Sequence, residues 1–112
     1  MARVLSRGGF HEGTVLHAKR AATSSLIAVF AENGWAHTSD RCSDLCDTLR
    51  AHDVTPTADA ARAAQALDRQ IEHLRLNAGG DAPPRACDAK AAAQALERAR
   101  RIRAFVNAAL TQ

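Results

Sequence analysis

The sequence predicts an all-α fold, a small four-helix bundle built on a long antiparallel helical hairpin. Three observations lead there. Roughly a quarter of the residues are Ala and only 4% are aromatic, a composition that favours helix and close, thin packing. Between Thr55 and Leu110, two stretches each place small or aliphatic residues at alternating steps of three and four, the signature of a helix with one apolar seam. These seams are Ala60, Ala64, Leu67, Ile71, Leu74 and Ala78 in one arm, and Ala92, Ala95, Ala99, Ile102, Val106 and Ala109 in the other. The segment between them, Asn77-Ala78-Gly79-Gly80-Asp81-Ala82-Pro83-Pro84, is short and rich in breakers, so the arms must run antiparallel.

Taken in order, residues 1–11 read as an N-terminal tail, expected to be partner-bound, and residues 12–112 as a single helical domain. Gly8-Gly9 should interrupt any early helix. From Glu12 or Thr14 to Asn33, the stripe Val15, Ala18, Ala22, Leu26 and Val29, widened by Leu16, Ile27 and Phe30, gives the broadest apolar face in the chain. Asn33-Gly34 supplies a left-handed stop, and Trp35 can fold back over the last turn. Thr38 or Ser39 is a candidate cap for a second helix with Asp40 in its first turn, where the helix dipole favours an acid. Cys42, Leu45, Cys46 and Leu49 would share its inner face. Thr55-Pro56 or Thr57 opens the third helix and Gly79-Gly80 closes it. Asp81 before Pro83 and Pro84 is expected to open the fourth, which runs to Leu110.

With 112 residues the chain holds one core, and its scarcity of large side chains makes that core modest. Covering an apolar face with a partner would help. The formal charge is +3 with a pI near 9.1, and the excess sits at the two ends, whereas residues 36–54 are acidic. An imbalance this small allows contact with acidic protein, nucleic acid or an anionic membrane surface and demands none of them. No apolar run approaches the ~20 residues of a transmembrane segment. Three cysteines without a secretory signal point to a reducing compartment. The acid-free start carrying Arg3 and Arg7 has the character of an organellar import segment, which favours mitochondrion over cytoplasm.

Motifs for chemistry are sparse. Cys42 and Cys46 form a CxxxC pair between His37 and His52, but a structural zinc site needs a second short-spaced couple, and Cys87 is the only other thiol. Buried free thiols are the expected reading, with no metal and no cofactor. The five histidines are scattered, and neither a catalytic triad order nor a phosphate-binding glycine loop is present. Asp59, Asp68 and Glu72 each stand near an Arg and read as solvated ion pairs. No catalytic residue is assigned, and an enzyme is not expected. The strongest surface feature is the cluster Arg98, Arg100, Arg101 and Arg103, whose side chains fan out instead of forming one stripe. Leu76 and Phe105 point away from their seams, and Val4, Leu5 and Phe10 precede the first core helix.

The expected function is a non-enzymatic protein–protein interaction module, most concretely a small accessory or structural subunit of a larger multi-protein complex. Val4, Leu5, Phe10, Leu76, Arg98, Arg101 and Phe105 are its candidate partner-binding residues. Two alternatives share the same features: a nucleic-acid or ribonucleoprotein binder using the C-terminal arginines, and a small inhibitor of a single partner enzyme.

Overall fold

The computed structural model describes the backbone of residues 2–78 and 88–111 and the side chains of residues 11–75 and 88–111. It contains four helices, α1 (Ala2–Asn33), α2 (Cys42–Ala51), α3 (Ala58–Ala78) and α4 (Ala89–Leu110), and no strand among the described residues. The four pack as a helical bundle, as the periodicity predicts. α3 and α4 are antiparallel: Gln70 of α3 meets Ala91 at the start of α4, and Arg62 lies beside Arg101 further along. α1 runs in the same sense as α4, since Val15 adjoins Ala91 and Gln94 while Ala21 adjoins Ala99 and Arg103. The most extensive interface is α1 against α4, so the hairpin is one of two axes of the bundle and not its sole organiser.

Bulk comes from α1 and α2. Val15, Leu26, Phe30, Leu45 and Leu49 are essentially fully buried, and α3 and α4 meet them mainly with Ala60, Ala64, Leu67, Ala95, Ala99 and Ile102. Small residues on the hairpin let the larger side chains of the other helices approach closely. Leu16, expected to widen the α1 stripe, is instead 45% exposed, because the stripe is already filled by Val15 and Ala18 at that level.

Three boundaries follow the residues that mark them. α1 ends on Gly34 with φ 71°, Trp35 N–H closing onto the Phe30 carbonyl at 2.8 Å. That is the six-to-one bond of a left-handed helix stop. Trp35 then packs edge-on against Phe30 and stacks flat on His52, with ring centroids 4.1 Å apart. α2 ends the same way, with Asp53 at φ 64° and Val54 N–H donating to Leu49 O. α3 opens with Thr57 Oγ1 accepting from Ala60 N–H and reaches Ala78.

Three other boundaries differ from expectation. The backbone of α1 is helical from Ala2, where a tail up to residue 11 was expected; a glycine in a helix costs only about 1 kcal/mol relative to alanine, too little at Gly8-Gly9 to end so long a helix. α4 begins at Ala89, not Asp81, because Asp88 takes the capping role and accepts from Ala91 N–H at 2.8 Å. The Gly79-Gly80 and Pro83-Pro84 signals lie outside the described residues. α2 begins at Cys42 without a side-chain cap from its own N-cap residue, Arg41. Ser39 instead accepts from Arg41 N–H and donates to Asp44, and the cap of α2 comes from another helix.

Candidate binding groove between helices α3 and α4

Antiparallel packing puts the side chains that flank the two seams into register. On α3, Arg62, Arg69 and His73 recur at steps of seven and four; on α4, Gln94, Arg98 and Arg101 recur at four and three, so each set shares one helical face. Between them lies a surface cavity of about 410 Å³, with Val15, Ala66, Leu74 and Ala91 as apolar lining and Arg69, Gln70, His73, Gln94 and Arg98 as polar lining. A neighbouring cavity continues past Ala66, Arg69 and Arg98 to Arg62 and Arg101. The two form one continuous basic groove.

Gln70 organises it. Its Nε2 donates to the Ala91 carbonyl at 3.0 Å and its Oε1 accepts from Arg98 Nη1 at 2.6 Å. The amide thereby ties α3 to α4 and holds one arm of the guanidinium still. Burial, with Arg69 and Arg101 adding like charge, pulls Arg98 below the ordinary guanidinium value. Arginine keeps its proton at any physiological pH, so Arg98 stays a cation beside two others. Arg62 and Arg101 are each satisfied on their own helix, by Asp59 at 3.1 Å and Glu97 at 3.4 Å. Among the described residues, Arg69 and Arg98 form no ion pair with a carboxylate within 4.0 Å.

The opposite treatment of charge is found at the residue next to Arg69. Asp68 is 8% exposed, and its two oxygens accept from the backbone N–H groups of Cys42 at 3.0 Å and Ser43 at 2.8 Å. It caps α2 from α3 and complements the positive end of that helix. The expectation of a solvated ion pair at Asp68 is therefore corrected: at its depth a carboxylate needs donors, and the first turn of α2 supplies them. Beside it, Thr23 Oγ1 lies 3.7 Å from Cys42 Sγ and donates to Asp40 O, while Lys19 pairs with Asp40 at 3.5 Å.

Cys42 and Cys46 are buried free thiols. Burial pushes Cys42 up to about 11, with the Thr23 contact opposing the rise. Burial, then the neighbouring Cys42, pushes Cys46 up to about 12. Both remain protonated and weakly nucleophilic at neutral pH. No group of three or more His, Cys, Asp or Glu side chains able to hold a metal ion occurs among the described residues. None of the helices among them is long and apolar enough to cross a membrane.

Of the candidate partner-binding residues, Arg98 and Arg101 come together in the groove, where Arg62 and Arg69 join them. Arg100 and Arg103 face the other way, beside His17 and Leu96 against α1, so the fourth-helix cluster does split, yet two of its members enter a basic row with α3. Phe105 is not a surface residue: it is 8% exposed and belongs to the core. α4 packs against both α1 and α3 and needs two apolar stripes, and Phe105 lies on the second. Among the described residues, the large exposed apolar side chains are Leu16, Leu96 and Leu110. The side chains of Val4, Leu5, Phe10 and Leu76 lie outside the described residues. Sequence reasoning missed Arg69, Gln70, His73 and Gln94. Their signal was the seven-residue spacing of Arg62 and Arg69 on the arm facing Arg98 and Arg101, readable once the two arms are aligned antiparallel.

No family model, no curated protein and no solved structure matches this chain.

Proposed function

We propose that the protein is a non-enzymatic interaction module, a small accessory subunit of a larger assembly, that docks an acidic segment of a partner protein into the α3–α4 groove. The observation that carries this reading is the pair Arg69 and Arg98, two guanidiniums lining a groove with Val15, Ala66 and Leu74 that form no ion pair with a carboxylate among the described residues. Arg69 is exposed and Arg98 half-buried, and two like charges held side by side without a counter-ion repel in the free chain and attract an acidic partner. The nucleic-acid alternative gains from the row of four arginines but loses its stacking group, because Phe105 is in the core.

The test is native-gel migration of the untagged protein from its source cells, with mass spectrometry of the co-migrating chains. Charge reversal at Arg69 or Arg98 to Glu is expected to release the chain from its complex, while Arg103→Glu on the other face leaves it bound. Migration as a free monomer before any substitution contradicts the reading. Binding to RNA or DNA that falls steeply with salt and is lost in the same variants would transfer the groove to the nucleic-acid alternative.

A further inference from the structure

We propose that the groove recognises a phosphate monoester, carried as a phosphoserine or phosphothreonine on the docked partner segment; this rests on the docking reading above and adds the chemistry of the anchoring group. Charge favours phosphate over a carboxylate. Arg69 and Arg98 together present two positive charges that no carboxylate of the described chain neutralises. A single Asp or Glu side chain would cancel one of them. A phosphate monoester, at about −1.5 to −2 at neutral pH, cancels both.

The groove is also preorganised. Because Gln70 is anchored on the Ala91 carbonyl and grips Arg98 Nη1, the guanidinium is held in place before a ligand arrives, and its remaining N–H donors suit the tetrahedral array of phosphate oxygens. Gln94 adds an amide and His73 an imidazole to the lining of the same cavity. Val15, Ala66 and Leu74 form an apolar floor able to receive the β-carbon, or the methyl group of a phosphothreonine.

Three nearby acids are already engaged. Glu97 is engaged by Arg100 and Arg101, Asp59 by Arg62, and Asp88 by the Ala91 amide at the start of α4. That last bond also removes one backbone donor from the helix end, so recognition falls to the side chains. At about 410 Å³ the cavity is within the usual range of about 300–1,000 Å³ for binding sites, large enough for a phosphorylated side chain and its immediate neighbours.

Fluorescence anisotropy on the full chain tests this with three labelled peptide mixtures, each with a fixed central residue, phosphoserine, serine or glutamate, among random flanking residues. The phosphoserine mixture is expected to bind about tenfold or more tightly than the other two, a preference of about 1.4 kcal/mol, and to be displaced by millimolar inorganic phosphate. Arg69→Gln and Arg98→Gln should each abolish the preference while leaving the helical circular dichroism and a cooperative unfolding transition in place, and Arg103→Gln should leave it unchanged. Equal binding of glutamate and phosphoserine, or no binding of any mixture, overturns the phosphate assignment. Phosphatase treatment separates it from the docking reading: a native complex that survives dephosphorylation, yet still falls apart on Arg98→Glu, retains the docking groove and removes the phosphate.

Discussion

Asp68 and Arg98 sit on facing helices of the same hairpin, and the fold treats them in opposite ways. The carboxylate is sunk to 8% exposure and receives two amide hydrogen bonds from the start of α2. The guanidinium is partly withdrawn from water and given a neutral amide together with two like-charged neighbours. Asp68 sits against the first turn of α2, beside the buried Cys42; around Arg98 lie Ala66, Ala91, Gln70, Gln94 and the open groove. A charge whose needs are met within the chain is holding the fold together. One whose needs are unmet is the ground for proposing the groove as a docking site, because natural chains sit only modestly above their stability threshold and carry such costs mainly where function requires them.

The contrast can be broken by substitution, and the largest effect is expected at the closed end. Leu49→Ala should destabilise the protein by about 3–4 kcal/mol, as for a fully covered leucine that leaves a cavity, while Leu74→Ala, half-buried beside the groove, should cost about 1 kcal/mol. Urea midpoints at constant m-value would check both, and similar losses at the two positions would erase the difference between the ends.

Asp68→Ala comes next. Removing the carboxylate orphans the Cys42 and Ser43 amides, at a cost of about 2–3 kcal/mol. Amide hydrogen exchange at these two residues should quicken ahead of the rest of α2. If their protection is unchanged, the cross-helix cap is ornamental.

Alkali gives a third test of the closed end. In the folded chain the Cys42 and Cys46 thiols ionise only near 11 and 12, against 9.0 for an ordinary thiol. Between these values the unfolded chain has lost protons that the folded one still holds, so stability is fully present below pH 9 and declines as pH rises toward 11 and 12. Replacing Cys46 by Ala should make the fall in urea midpoint over that range shallower than in the parent protein. A parallel fall in both would show that the thiols are not the groups responsible.

The smallest effect is expected at the groove and has the opposite sign. Arg69→Gln relieves Arg98 of a like charge and should raise stability by about 0.5 kcal/mol at low salt, the gain shrinking as ionic strength rises. A loss of stability would mean that Arg69 supports the fold and is not held in reserve for a partner.

Much of the fold was legible because its signals are local. The 3.6-residue rhythm of Val15, Ala18, Ala22, Leu26 and Val29, the Gly34 stop and the Thr57 cap are each visible within one or two turns of sequence. Asp68 was misread because its partners are 25 and 26 residues away, and nothing near it announces a helix start on a different element. Phe105 was misread because a single seam was assigned to a helix that serves two neighbours. The groove was half legible: Arg98 and Arg101 stood out by density, whereas Arg69 and Gln70 acquire meaning only when the antiparallel arm brings Ala91 and Arg98 alongside.

The flat stack of Trp35 on His52 has a practical consequence for every such measurement. Trp35 is the sole tryptophan of the chain, and it is lodged where the ends of α1 and α2 meet, away from the residues that line the groove. Its emission is therefore an optical gauge of that corner alone. A titrant that fills the groove should leave tryptophan fluorescence flat, whereas a denaturant that pries α2 loose should change it at once, so the protein carries its own internal control for telling occupancy from unfolding.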